Sequence, residues 1–139
     1  VAYRAANPGV TIIAGGTDVC VNMNKRSFDP LQLLCLARLQ GMSDIKLEGD
    51  TLSIGASATL AQIEDFVRER LPEFHHLLWL FGSPQIRNAG TMAGNIANAS
   101  PIADTPPMLF VLDAVLELAG ASGKRTVEIT KFYTGYKQF

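Results

Sequence analysis

Two glycine-bearing segments carry the residue types best suited to holding a ligand. The first is Ala14-Gly15-Gly16-Thr17-Asp18, followed by Val19 and Cys20. Glycine lacks a Cβ, so a backbone there approaches a ligand closely and reaches positive φ. A helix starting just beyond adds unpaired N–H groups and the positive end of a dipole. Together these features suit an anion such as a diphosphate. The spacing is neither the dinucleotide G-x-G-x-x-G pattern nor a P-loop, and a tight turn without a ligand satisfies it equally. The second segment is Gly90-Thr91-Met92-Ala93-Gly94-Asn95, with Asn98, Ser100 and Asp104 beyond it. It combines permissive glycines with hydroxyl and amide groups able to fix a polar ligand, and one carboxylate. Asp104 suits two roles, accepting hydrogen bonds from ribose or ribityl hydroxyls or capping a following helix. Arg87 is the sole cation between 82 and 107. Its guanidinium matches a phosphate or a neighbouring carboxylate.

Other kinds of site find no support. His75 and His76 are adjacent, so they face different sides of a helix and form no i, i+4 metal pair. There is no nucleophile elbow, no cysteine with a plausible base and no convincing carboxylate pair. Cys20 and Cys35 belong to no C-x-x-C pair, which argues against a disulfide framework, a zinc ribbon or an iron–sulfur site made by this chain alone. Both are expected as small core residues in a reducing compartment. Two glycine bends without side-chain catalysts point to a cofactor that carries the chemistry itself. The metal and catalytic sets are therefore empty.

The elements that must position these segments are legible in part. Val10-Thr11-Ile12-Ile13-Ala14 is a β-branched run that predicts a buried strand ending at Gly15-Gly16. Thr17 or Asp18 then caps a helix through Asn24, and Leu31–Leu36 predicts a second strand, giving a right-handed βαβ unit with parallel strands. Residues 44–47 and 51–54 alternate in polarity around Glu48-Gly49-Asp50 and predict a hairpin. Thr59 and Gln62 match a capping box opening an amphipathic helix with Ile63, Phe66 and Val67 on one side. Pro72 suits the first turn of another helix, whose stripe of Leu77, Leu78 and Trp79, with Phe81, reads as core. From Gly82 to Pro107 periodicity is lost, and a long functional loop is expected. Asp104 with Pro106 and Pro107 opens a further helix, and residues 115–118 and 125–129 predict a second hairpin.

Composition bounds the rest. Apolar residues make up 47% of the 139 and charged residues 18%, enough apolar character to exclude a disordered chain. The formal net charge of −1 argues against nucleic-acid binding. No apolar run approaches the ~20 residues that span a bilayer. No secretory signal opens the chain, and a cytoplasmic location is expected. Val1–Gly9 reads as the end of a helix, and the chain stops after Phe132-Tyr133-Thr134-Gly135-Tyr136-Lys137 without a closing signal. A piece of a longer protein is expected.

Ile13-Ala14-Gly15-Gly16-Thr17-Asp18-Val19 resembles the first flavin loop of the FAD-binding domain in the xanthine dehydrogenase and molybdenum hydroxylase family. Phe81-Gly82-Ser83-Pro84-Gln85-Ile86-Arg87-Asn88-Ala89-Gly90-Thr91, continuing through Asn95-Ile96-Ala97-Asn98-Ala99-Ser100-Pro101-Ile102-Ala103-Asp104-Thr105-Pro106-Pro107, resembles the second signature. Within the family the likeness is to the FAD domain in the small subunit of bacterial xanthine dehydrogenase. The resemblance implies that Ala14 to Cys20 wrap the FAD diphosphate with backbone N–H groups. It places Phe81 near the isoalloxazine ring, and Gly90, Thr91, Met92, Ala93, Gly94 and Asn95 over the diphosphate and ribityl chain. Asn98 would sit close to the flavin, and Asp104 would bind cofactor hydroxyls. The implied fold is α+β, of the vanillyl-alcohol oxidase-like FAD-binding type. A small parallel βαβ lobe (1–42) carries the first flavin loop, and a mixed α+β lobe (43–139) carries the second. The family usually shows two glycines where this chain has Ala93-Gly94. Its flavin site also continues into a further part of the domain, with a lysine and a leucine near the ring, so the C-terminal part of the site is expected to be missing.

The function so implied is electron transfer in a xanthine dehydrogenase-type enzyme. Purine hydroxylation occurs at a molybdenum cofactor in a partner subunit. Electrons pass through iron–sulfur clusters of a partner domain to FAD and then, as hydride, to NAD⁺. Two other readings stand beside it: the FAD subunit of a carbon monoxide, aldehyde or aromatic-substrate hydroxylase, and a flavin-free assembly domain.

Overall fold

The structure is a computed structural model describing residues 1–139, and its architecture is α+β. After α1 (Ala2–Ala6), β1 (Thr11–Ile13) pairs in parallel with β2 (Leu33–Cys35), and α2 (Val19–Asn24) lies in the crossover. Thr11 stands opposite Leu33 and Ile13 opposite Cys35. The ladder is shorter than the apolar runs predict because the chain leaves it at Gly15 on one side and enters from Pro30 on the other.

β3 (Ile45–Glu48) and β4 (Thr51–Ile54) form the predicted antiparallel hairpin, and Gly49 takes φ +59° in its turn. The capping box is present at α3 (Leu60–Val67). Thr59 Oγ1 accepts from the Gln62 amide at 3.2 Å, and Gln62 Oε1 accepts from the Thr59 amide at 2.9 Å. α4 (Pro72–Leu80) opens on its proline. Leu60, Ile63 and Val67 on α3 meet Phe74 and Leu78 on α4 in one core cluster. The apolar stripe is only partly core. Leu78 is fully buried, but Trp79, one residue or about 100° further round the helix, is 55% exposed.

The aperiodic stretch after Gly82 is helical rather than an irregular loop. It forms α5 (Pro84–Ala89) and α6 (Met92–Asn98), followed by α7 (Thr105–Val111). Glycine, alanine and asparagine leave no hydrophobic period to read. Capping and core contacts decide instead. Ser83 Oγ accepts from the Ile86 amide and Thr91 Oγ1 from the Gly94 amide, while Met92 and Ile96 enter the core. β5 (Val115–Gly120) and β6 (Gly123–Glu128) form the second hairpin, with Gly123 at φ +115°, and α8 (Ile129–Phe132) closes the core with Ile129 and Phe132. Cys20 and Cys35 are exposed free thiols, not core residues, because α2 and β2 offer those faces to solvent. No helix is long and apolar enough to cross a membrane.

Candidate functional site

β1 delivers the first bend. Its last ladder bond runs from the Leu36 amide to the Ile13 carbonyl at 2.8 Å. Beyond it, the amides from Ala14 through Val19 donate to nothing within the chain, until the Cys20 amide reaches the Gly16 carbonyl at 2.8 Å. Gly16 makes the turn at φ +74°. A run of free donors on one bend is the arrangement that binds an anion through main chain alone.

The second bend is fastened to the start of α3. The Leu60 amide donates to the Gly90 carbonyl at 2.9 Å, and Thr59 and Thr91 bridge beside it. Thr91, itself buried, caps α6 through the Gly94 amide at 3.1 Å. The two bends touch. A Cβ on Gly15 would overlap the Ala89 carbonyl oxygen and lie 2.9 Å from Gly90 Cα. Gly15 is therefore glycine because the other bend's backbone occupies the space of its side chain.

Between the bends runs a groove of about 340 Å³. Ala14, Gly15, Gly16, Thr17, Asp18 and Val19 line one side, and Gly90, Thr91, Gly94, Asn95 and Asn98 line the other. Phe81 stands in the same wall. Ile12, Ile13, Leu60, Ile86 and Ala97 add an apolar lining that sequence reasoning missed, since strand and helix ends carry no mark of which cavity they meet. A second cavity of about 250 Å³ shares Ala14, Gly15 and Thr91 and adds Ser57 and Asn88. Among the expected residues, Cys20, Met92, Ala93 and Asp104 are not part of the groove lining. Met92 points into the core, and Asp104 lies past the Ser100–Ala103 turn at the head of α7. Asp104 occupies the cap position there, but its side chain makes no capping bond.

No lysine or arginine lines the groove. The unpaired amides of Ala14 to Val19 belong to residues of this lining. Asp18 is the one charged side chain in the lining, and its Oδ2 accepts from Asn22 Nδ2 at 2.9 Å. Arg87 pairs with Glu64, Nε to Oε2 at 2.8 Å, which settles the choice its sequence left open in favour of the carboxylate. Asn95 is oriented from behind, where the fully buried Thr105 donates its hydroxyl to Asn95 Oδ1 at 2.6 Å. Tyr133 OH donates to the Ile96 carbonyl at 3.1 Å and steadies the last turn of α6.

Burial pushes the Tyr133 phenol above its ordinary value of 10.0. The folded chain thus holds this proton to higher pH than the unfolded one. The associated stability is complete below about pH 10 and falls as pH rises toward the folded value. Melting temperature is expected to drop as pH rises above about 10, and Tyr133→Phe should flatten that part of the profile. The same slope in both proteins would refute the assignment.

The chain matches, over residues 1–139, the family described as the FAD binding domain in molybdopterin dehydrogenase. It is 36% identical over 135 residues to the nicotinate dehydrogenase FAD-subunit of Eubacterium barkeri, covering 96% of this chain and 45% of that one. It is 37% identical over 136 residues to the xanthine dehydrogenase FAD-binding subunit of Escherichia coli O157:H7, covering 94% and 46%. Among solved structures it is similar to quinoline 2-oxidoreductase from Pseudomonas putida 86, with a TM-score of 0.91 at 28% identity over 98% of this chain and 48% of the other. The chain spans about half the length of the curated relatives it matches. A groove walled by free backbone amides and two touching glycine bends, on a chain matched from end to end, places this protein among the FAD-binding domains of the molybdopterin dehydrogenases.

Proposed function

We propose that the groove between the two bends holds FAD, with the diphosphate on the amides of Ala14 to Val19 and the isoalloxazine ring toward Phe81. The observation that carries this reading is the unbroken run of unpaired amides on residues that line a cavity also lined by Phe81. Asn95 and Asn98 supply amide groups for the ribityl and ribose hydroxyls. Gly90 and Thr91 shape the second wall, and Gly94 leaves room for the Thr91 hydroxyl to cap α6. Cys20, Met92, Ala93 and Asp104 lie outside this lining, Met92 in the core and Cys20 and Asp104 at exposed positions. Ala93 is not among the lining residues, which weakens one of the two reasons for a flavin-free assembly role, the other being the C-terminal part of the site expected to be missing.

Bound there, FAD supplies the redox chemistry, taking electrons from iron–sulfur clusters and delivering hydride to NAD⁺. The chain's own task is to bind and orient it; no side chain in the groove is required as an acid or base. The proposed frame is a vanillyl-alcohol oxidase-like fold, with a βαβ lobe at 1–42 and a mixed lobe at 43–139. The whole enzyme is proposed to be a xanthine dehydrogenase-type oxidoreductase in the cytoplasm, with iron–sulfur and molybdenum partners and hypoxanthine or xanthine as substrate. The likeness to the E. coli subunit supports that choice. The likeness to the nicotinate and quinoline enzymes supports an aromatic-substrate hydroxylase as the second reading.

Titration of the purified protein with FAD and with ADP tests the site. Saturable binding of both, with a flavin absorbance band retained through gel filtration, is the expected result; binding of neither overturns it. The subunits that co-purify decide between the two substrate classes. Thr105→Val keeps shape but removes the donor to Asn95, so stability should fall by about 1 kcal/mol and FAD affinity severalfold. Unchanged FAD affinity would show that the orientation of Asn95 does not matter for binding.

A further inference from the structure

We propose that Arg87, held by Glu64, is a positioning residue that sets Phe81 in the groove wall and makes no contact with the cofactor's phosphates. The proposal rests on the reading of the groove as an FAD site. Arg87 lies in the last turn of α5, and its guanidinium reaches three places at once. Nε donates to Glu64 Oε2 on α3 at 2.8 Å. Nη1 donates to the Phe81 carbonyl at 3.0 Å and to the Gly82 carbonyl at 3.2 Å. The two side chains are only 11% and 13% exposed. The far oxygen of Glu64 sits 4.0 Å from His75 Nε2 on α4, so the carboxylate is also bounded on that side.

The segment that Arg87 grips needs such a hold. Phe81 and Gly82 connect α4 to α5, and Gly82 is left-handed at φ +50°. The Phe81 amide still bonds the Leu78 carbonyl at 3.1 Å, but the Phe81 and Gly82 carbonyls have left the α4 ladder. A carbonyl removed from a helix needs another donor. Arg87 provides two of them from one rigid fork, whose own orientation is set by Glu64. Phe81 is thereby tied through its amide to α4 and through its carbonyl to α5. Phe81 is among the residues that line the groove and also packs against the core cluster, whereas Arg87 is not in the lining. A lysine would keep the charge and lose the fork, so charge alone should not replace it.

The test uses ADP and FAD as separate probes, because ADP carries the diphosphate without the isoalloxazine ring. In Arg87→Met, ADP affinity is expected to stay within about twofold of the parent while FAD affinity falls about tenfold. The absorption bands of the bound flavin should shift in the same sense as in Phe81→Ala. The double variant should bind FAD no more weakly than Phe81→Ala alone, since both changes remove one arrangement. Arg87→Lys and Glu64→Gln should give the same pattern in weaker form, and they carry the test if Arg87→Met does not fold. Equal loss of ADP and FAD affinity in these variants would make Arg87 a phosphate ligand and overturn the proposal. Parent-like FAD affinity and spectrum would overturn it as well. Failure of the parent protein to bind either probe would overturn the groove assignment itself.

Discussion

Gly15→Ala is expected to abolish FAD retention while Gly9→Ala leaves it unchanged. At Gly15 the added methyl would overlap the Ala89 carbonyl oxygen and press on Gly90 Cα at 2.9 Å. Both obstacles are backbone, so neither swings aside as a flexible side chain does. Overpacking of this kind costs about 1–3 kcal/mol even where neighbours yield. Here the second bend is pinned by the Leu60 amide on its Gly90 carbonyl. The strain is relieved by parting the bends, which widens the groove and turns the free amides away from the diphosphate. FAD affinity should fall by about a hundredfold or more, equivalent to roughly 2.7 kcal/mol. Nothing lies within 4 Å of a Cβ on Gly9, which makes that position the control. Flavin absorbance after gel filtration and ADP calorimetry read the outcome. Full flavin content in Gly15→Ala would mean that the two bends do not meet as described. Gly94→Val belongs to the same class but acts through a side chain, because its Cβ would meet the Thr91 cap hydroxyl at 2.9 Å. It should cost a cap, about 1 kcal/mol, and part of the affinity. In both variants the obstacle is the chain itself; the cofactor is not what the new side chain strikes.

Phe74→Ala should give the largest loss of stability, about 3–5 kcal/mol. Phe74 is 2% exposed and sits between Ile63 and Val67 of α3 and Leu78 of its own helix in the core cluster. Only 18 of 139 residues are buried, so few other contacts remain to absorb the cavity. A loss of that size is a large part of the ~5–15 kcal/mol that keeps a domain folded. Chemical denaturation should show the midpoint collapsing, with flavin lost at the same step, because α3 both lines the core and holds the second bend through Leu60. Trp79→Ala, at an exposed position on the same helix, should stay within about 0.5 kcal/mol of the parent. A midpoint for Phe74→Ala close to that of Trp79→Ala would show that α4 contributes little to the core.

Local chemistry made much of the chain readable. The β-branched run before Gly15-Gly16 marks β1, the alternation around Gly49 marks the first hairpin, and Thr59 with Gln62 marks the start of α3. These signals live within a few residues of the elements they describe. The stretch 82–107 was not readable in that way. Its helices owe little to propensity or period and depend on Ser83 and Thr91 caps and on core contacts made by Met92 and Ile96. Cys20, Cys35 and Trp79 depart from the core placement that their residue types predict, for a related reason. Each is apolar enough to be core, and only the packing of neighbouring elements leaves it exposed.

The same division runs through the site. Residue type and order alone pointed to two glycine bends and to a flavin-binding domain, and the family match bears out the latter. Those properties are written in single residues and their immediate neighbours. Tertiary structure decided that Gly15 is needed for the approach of Ala89 and Gly90, that Arg87 answers to Glu64, and that Asp104 stands apart from the groove. Each of those partners lies 23 or more residues away along the chain or across an intervening turn. No local pattern specifies which distant backbone or charge will arrive, because that is set by how helices and strands share one small core.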